Sequence, residues 1–155
     1  VLNLIQQMLN KKQSNSIPPT DPLNESVGPR EWGEEKLLYL CNSFYTMKRL
    51  FIKKGSKGGL QKHQLKDESV YVVSGKLLLR FDSGDGNLQS RIFEANSSIR
   101  FEPGCVHQEE ALEDTVLIEC STPHFNDRIR MESKYYSNEI TGGLPSTDLT
   151  DIEYK

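Results

Sequence analysis

Residues 58–75 carry side chains that could bind a metal ion. Gln61, His63 and Glu68 fall within a stretch of eight residues. If the first two lie on a strand, the two-residue side-chain period of that strand points both to the same face. Glu68 can then return to that face from the next strand. His107, which follows a Pro-Gly turn later in the chain, offers a second imidazole.

These side chains form a mixed set of nitrogen and oxygen donors. Two imidazoles, one carboxylate and one amide oxygen suit a divalent first-row ion and leave coordination positions for water or substrate. A lone histidine on a strand is more often a hydrogen-bonded core or surface residue, so the prediction depends on the whole set. The predicted ligands are Gln61, His63, Glu68 and His107, and the expected ion is Zn, Mn, Ni or Fe.

Glu109 is a candidate proton carrier at the same site. It lies two residues beyond His107, so an extended strand would turn both side chains into one cavity. A carboxylate placed there could serve as a general base. The alternative is that Glu109 and Glu110 form a solvated rim, and the sequence leaves both interpretations open.

The elements that would position these residues are short strands. Apolar and aromatic side chains recur in phase along several segments, as Tyr45, Met47 and Phe51 do. Turn signals separate the segments, and residues 82–87, with the sequence DSGDGN, are a strong hairpin signal. Many short strands at near-regular spacing indicate an antiparallel sandwich or barrel.

The two ends of the chain depart from this pattern. Leu2, Ile5 and Leu9 have helical spacing, which predicts a short N-terminal helix, and a segment rich in Ser, Asn and Pro follows as a linker. The last residues read as a tail. The predicted divisions are an N-terminal helix and linker at 1–27, a barrel domain at 28–136 and a C-terminal tail at 137–155.

Composition and charge disfavour several classes of partner. The chain has 155 residues, enough for one domain with its own core, and 19 basic against 22 acidic residues give a net charge of −3. Basic runs interleaved with aromatic residues are absent from the sequence, so nucleic acid and anionic membrane are poor partners. Three widely spaced cysteines predict neither a disulfide framework nor a thiolate zinc site. We expect a cytoplasmic protein.

The two ligand segments resemble the two motifs of the cupin superfamily, whose members form a small jelly-roll barrel that holds a metal ion. The similarity is greatest to single-domain cupins related to the mannose-6-phosphate isomerase part of bifunctional guanylyltransferase/isomerases. It extends over residues 28–136. The matching segments are Glu31-Trp32-Gly33, Lys48-Arg49-Leu50, Gln61 to Glu68, Val72 to Gly75, Pro103 to His107, Glu119 to Pro123, and Asp127 to Arg130.

This resemblance implies an all-β fold, a double-stranded β-helix (cupin jelly-roll barrel) with the short N-terminal helix, and a homodimer. It also implies a metal-dependent isomerase or epimerase that acts through an enediol on a small-molecule substrate, a phosphorylated or nucleotide-linked sugar. Gln61 stands where many cupins have histidine, which favours the isomerase-like branch over an iron-dependent dioxygenase. A non-catalytic sugar-binding cupin is the other alternative, because Tyr136 and Ser137 replace the Gly-Arg that often ends the family motif.

The resemblance also suggests residues that contact the substrate. Lys66 lies where the family tends to have a basic residue near the ligands, and it could receive a phosphate or carboxylate during catalysis or be a solvated turn lysine. Lys48 and Arg49 are consecutive on a strand, so one of them faces inward, and an inward cation needs an anionic partner. Both are assigned to substrate binding, together with Arg100.

Overall fold

The computed structural model describes residues 25–27, 30–41, 44–82, 84–135 and 146–152. Most regular structure in this part of the chain is β-strand. Two short 3-10 helices, Glu132–Tyr135 and Leu149–Asp151, follow the last strand. The strands are β1 (Glu25–Ser26), β2 (Gly33–Cys41), β3 (Tyr45–Ile52), β4 (Gln61–His63), β5 (Glu68–Ser74), β6 (Lys76–Asp82), β7 (Leu88–Glu94), β8 (Ser98–Phe101), β9 (Val106–Ala111), β10 (Thr115–Ser121) and β11 (Arg128–Arg130).

The strands form two antiparallel sheets with interleaved connections. One sheet has the order β1-β2-β3-β10-β5-β8, and the other has the order β11-β4-β9-β6-β7. A late strand therefore lies between two early ones in both sheets: β10 between β3 and β5, and β9 between β4 and β6. This winding brings segments that are far apart in the sequence next to each other inside the barrel.

Strand alternation divides the interior of the barrel into two ends. Buried and less buried residues alternate along β3, β5 and β10, so one face of each strand points inward. The apolar end consists of residues from both sheets, namely Leu50, Ile52, Val72, Leu77, Leu79, Ala111 and Leu117. The polar end lies further along the same strands and consists of Lys48, His63, Lys66, Glu68, His107 and Glu119, all of them buried.

The all-β jelly-roll prediction is confirmed. The predicted N-terminal helix and linker lie outside the described residues, apart from the last residues of that segment, which form β1. Part of the predicted tail is described: the backbone N–H of Thr147 donates to the carbonyl of Arg128 at 2.7 Å, and Ile152 is buried. Within the described ranges, no helix has the length and apolar character needed to cross a membrane.

Candidate metal centre

Three of the four residues predicted as ligands meet in the polar end. His63 ends β4, Glu68 begins β5 and His107 lies on β9, and one donor atom from each falls within 4.8 Å of the others. The Glu68 carboxylate lies between the two rings. Its Oε2 atom is 3.8 Å from Nε2 of His63, and its Oε1 atom is 3.4 Å from Nε2 of His107.

Hydrogen bonds on the far side of each ring leave both Nε2 atoms facing Glu68. The Nδ1 atom of His107 is 3.1 Å from the carbonyl oxygen of Cys105, which can only accept, so Nδ1 carries the proton and Nε2 has the lone pair. The Nδ1 atom of His63 is 3.0 Å from Oδ1 of Asp127, whose carboxylate favours the same tautomer. Histidines that bind metal ions are held in this way.

The surroundings of His107 indicate that a cation belongs between the rings. Burial lowers the pKa of His107, although the charge of Glu68 opposes this, and the neutral ring is favoured. Among the described residues the buried Nε2 atom has no hydrogen-bond partner, and the nearby Glu68 oxygen is also an acceptor. Two electron-rich atoms that face each other in a buried site lack a donor or cation between them. The residues present therefore fit a divalent ion.

Gln61 lies beside these three residues. It is on β4 two positions before His63, and it is the direct partner of His107 in the ladder between β4 and β9. Directly opposed residues of an antiparallel pair project to the same face. The half-buried amide of Gln61 is thus on the ligand side of the strand, where it could supply a further oxygen donor.

Asp127 fixes the orientation of His63 and was not predicted as a site residue. Besides the bond to His63, its carboxylate accepts the backbone N–H groups of Leu65 at 2.8 Å and Lys66 at 2.7 Å. Burial alone would raise the pKa of Asp127, but the bonds to His63 and to the backbone outweigh burial and lower the pKa to about 2. It is 64 positions from His63, so no local spacing could reveal the contact. The available signal was its place in the matching segment Asp127 to Arg130.

Phe101 packs against the ligand ring of His107. The two rings are stacked, with centroids 4.1 Å apart and an interplanar angle of 14°. Phe101 is itself buried at the boundary between the two ends of the barrel. The stacking restricts rotation of the imidazole and keeps water away from one of its faces.

A chain of alternating charges extends from the ligand Glu68 into the polar end. The Nζ atom of Lys66 is 3.2 Å from Oε2 of Glu68 and 3.6 Å from Oε1 of Glu119. The Nζ atom of Lys48 is 3.2 Å from the same Glu119 oxygen and 3.1 Å from Oε1 of Glu35. Both lysines are buried, so the solvated-turn alternative for Lys66 is wrong.

Mutual attraction keeps this chain of charges ionised. Burial favours the neutral form of Lys48, but the carboxylates of Glu119 and Glu35 outweigh burial and raise its pKa. In the same way, burial opposes the charge on Glu119, but Lys48 and Lys66 outweigh burial and hold its pKa well below the usual range. The two lysines are therefore already neutralised by protein carboxylates.

Glu109 faces the same cavity in a different electrostatic state. It is partly buried on β9, two positions from His107 and on the same face of the strand. Burial, followed by the charges of Glu68 and Glu119, raises the pKa of Glu109 to about 8. Glu110, in contrast, points to the other side and pairs with Arg80 at 2.7 Å. The two glutamates do not form a common solvated rim.

Arg49 and Arg100 lie away from the metal-binding group, contrary to expectation. Strand alternation directs Lys48 inward and Arg49 outward, where its guanidinium is 3.4 Å from Glu34. Arg100 is more than half exposed and pairs with Asp67 at 2.6 Å and with Glu102 at 2.7 Å. Its neighbours on β8 are the inward-facing residues, so its own side chain points out. Neither position fits contact with a substrate bound at the metal-binding group.

Solved structures share this fold at low sequence identity. KdgF from Halomonas sp. matches with a TM-score of 0.59 and 16% identity, covering 70% of this chain and 97% of that one. An RmlC-like cupin from Shewanella frigidimarina matches with a TM-score of 0.56 and 19% identity, covering 65% of this chain and 85% of that one. At these identities the likeness establishes the cupin jelly-roll fold.

A third structure with the fold is described by its metal. Oxalate decarboxylase from Bacillus subtilis, studied for its Mn(II) centres, matches with a TM-score of 0.57 and 17% identity, covering 78% of this chain and 35% of that one. No family model matches the sequence, and no curated protein sequence matches it at a significant level. The activity must therefore be argued from the site of this chain.

Proposed function

We propose that this protein binds a divalent metal ion through His63, Glu68 and His107, with Gln61 as a further oxygen donor, and isomerises or epimerises a phosphorylated or nucleotide-linked sugar. The observation that carries the metal assignment is the pair of Nε2 lone pairs directed at one carboxylate in a buried space. The Mn(II) centres of the oxalate decarboxylase that shares the fold support it. The sugar substrate rests on the sequence resemblance to mannose-6-phosphate isomerase cupins.

The reaction requires polarisation of a carbonyl group and movement of one proton between adjacent carbons. A bound divalent ion supplies the polarisation by acting as a Lewis acid on the carbonyl and neighbouring hydroxyl oxygens. Glu109, on the same face of β9 as His107, accepts the proton from the carbon beside the carbonyl. Return of that proton to the adjacent carbon, with transfer of the hydroxyl proton between the two oxygens, interconverts aldose and ketose. Its return to the opposite face of the original carbon gives an epimer.

The charge chain behind the ligands positions Glu68. Lys66 holds the Oε2 atom of Glu68 at 3.2 Å, while Lys48 and Glu119 complete the neutralisation. Because these cations are engaged with protein carboxylates, we assign them to ligand orientation and electrostatic balance. Asp127 has the corresponding role for His63, since it fixes both the tautomer and the plane of the ring.

An oxygen-dependent reaction at iron is a second candidate. Two histidines and one carboxylate are the ligand set of non-haem Fe(II) oxygenases, and this set is what the polar end brings together. The amide of Gln61 favours the first proposal, because it would occupy a position that an oxygenase keeps open. The metal that the protein carries separates the two candidates.

Metal content is the direct test. We would measure it by mass spectrometry on protein purified without a histidine tag or chelator, and on a His63→Ala/His107→Ala variant. His124→Ala is the matched control, because this third histidine bonds through Nδ1 to the Thr122 hydroxyl at 2.9 Å rather than to Glu68. Near-stoichiometric metal in wild type and His124→Ala, lost in the double variant, is expected. Absence of metal from the wild type even after reconstitution would rule out the proposal.

A further inference from the structure

A second group of cations lies beside the ligands, on β11. In the ladder between β4 and β11, Arg128 is the direct partner of His63, and Arg130 is the direct partner of Gln61. Opposed residues of an antiparallel pair share a face. Both arginines are therefore on the side of the sheet that carries the ligands, whereas Arg49 and Arg100 are on outer faces. Sequence reasoning had not singled out either Arg128 or Arg130 as a site residue.

The surroundings of Arg128 are positively charged and partly dry. Its side chain is half-buried, and burial is the main cause that lowers its pKa to about 10. The neighbouring guanidiniums of Arg130 and Arg30 lower the pKa further, and the carboxylates of Glu35 and Glu132 oppose them. A depressed pKa in an arginine means that its positive charge is poorly stabilised in this environment.

The carboxylates around Arg128 are shared with other cations. Glu35 is 2.7 Å from Arg30 and 3.1 Å from Nζ of Lys48. Glu132 accepts from the Nε atom of Arg130 at 3.1 Å. Three guanidiniums and one ammonium thus act on two carboxylates, and the local field favours a further anion. The charge chain around Lys66 is balanced, so the positive excess lies at the β11 side of the site.

We infer that Arg128, with Arg30 and Arg130 around it, forms a subsite for the phosphoryl group of the substrate. The planar guanidinium matches a phosphate in two parallel hydrogen bonds, which an ammonium cannot do. The inference deepens the proposed function and rests on it for the reaction, but the subsite itself requires only an anion. It replaces Arg49 and Arg100 as the source of anion recognition.

Binding measurements test this subsite without relying on catalysis. Methyl phosphate, uridine diphosphate and acetate would be titrated calorimetrically into the metal-loaded protein at constant ionic strength. The same titrations in the His63→Ala/His107→Ala variant measure binding that does not depend on the metal. The variants are Arg128→Gln, Arg128→Lys and the control Arg49→Gln, whose guanidinium lies outside with Glu34.

Loss of the fork should weaken phosphate binding strongly. We expect Arg128→Gln to weaken binding of methyl phosphate or uridine diphosphate by about tenfold or more, because a charge-assisted hydrogen bond contributes at least that factor. Arg128→Lys should lie between Gln and wild type, and Arg49→Gln should match wild type. The stronger of the two phosphate ligands distinguishes a sugar phosphate from a nucleotide-linked sugar.

Several results would overturn the inference. Equal phosphate binding by wild type and Arg128→Gln is one, and binding of acetate without binding of either phosphate is another. Since neighbouring arginines repel Arg128, Arg128→Gln should melt at the wild-type temperature or higher without ligand; a lower melting temperature with unchanged binding would show a structural role instead. Isomerase turnover with an unchanged KM in Arg128→Gln overturns the subsite alone. Phosphate binding at Arg128 without turnover overturns the isomerase proposal alone.

Discussion

The apolar and polar ends of the barrel are built from the same strands and differ completely in chemistry. Leu117 on β10 lies across from Leu50 on β3 and Val72 on β5. Two positions further along, Glu119 lies across from Lys48. A single step of the strand period therefore separates a close-packed hydrocarbon layer from buried ion pairs.

The difference shows where stability and function are located. Burial of apolar side chains contributes about 25 cal/mol per Å² and makes the apolar end the source of folding free energy. Buried ion pairs rarely contribute net stability, because desolvation offsets their attraction. The polar end is therefore best explained by what it positions, the histidines and the carboxylate of the metal-binding group. Each of the following changes tests this division of roles.

Removal of the Lys48 charge should have the largest effect. Lys48→Met leaves Glu35 and Glu119 buried without their shared cation, so the free energy of unfolding should fall by about 3–5 kcal/mol. Urea denaturation followed by circular dichroism measures it. Leu117→Ala is the control from the apolar end: it should lower the free energy of unfolding by about 2–5 kcal/mol and leave the metal content unchanged. Full stability in Lys48→Met would contradict the charge chain as described.

Asp127→Asn should weaken the metal site while the barrel stays folded. The amide cannot fix the tautomer of His63 as the carboxylate does, and loss of such a partner lowers metal affinity about 10–100-fold. Competition with a chelating dye measures the affinity. Asp67→Asn serves as control, since that carboxylate binds the exposed Arg100. Wild-type affinity in Asp127→Asn would show that His63 needs no orientation by Asp127.

Acid should destabilise the polar end through Glu119. The folded-state pKa of Glu119 lies below its ordinary value of 4.5, where Lys48 and Lys66 hold it. Its contribution to stability is therefore complete above about pH 4.5 and is lost as the pH falls from there through the folded-state pKa. Unfolding free energies measured between pH 7 and acid should fall less steeply for Glu119→Gln than for wild type. Identical slopes in the two proteins would mean that Glu119 is not held ionised by the lysines.

Much of the site could be predicted because its signals are local. Gln61, His63 and Glu68 lie within eight residues, and a strand period is enough to place two of them on one face. The inward position of Glu109 follows from the same rule. Alternation also predicted that either Lys48 or Arg49 faces inward, but it could not decide which one, because both faces of β3 carry polar and apolar residues.

The residues that were missed depend on pairing between distant strands. Asp127 and Arg128 reach the site because β11 pairs with β4, and sequence spacing contains no information about that pairing. Arg100 illustrates the opposite error: it is close to the second motif in sequence, but its position on β8 turns it outward.

The sequence alone was enough to predict the all-β barrel and the residues that approach the metal-binding group, because side-chain period and turn chemistry act over a few residues. Tertiary structure decided which strand completes each side of the site, which cations are neutralised and which remain near the ligands. The physical reason is that burial and Coulomb interactions depend on distances in space, and the interleaved winding of the two sheets sets those distances.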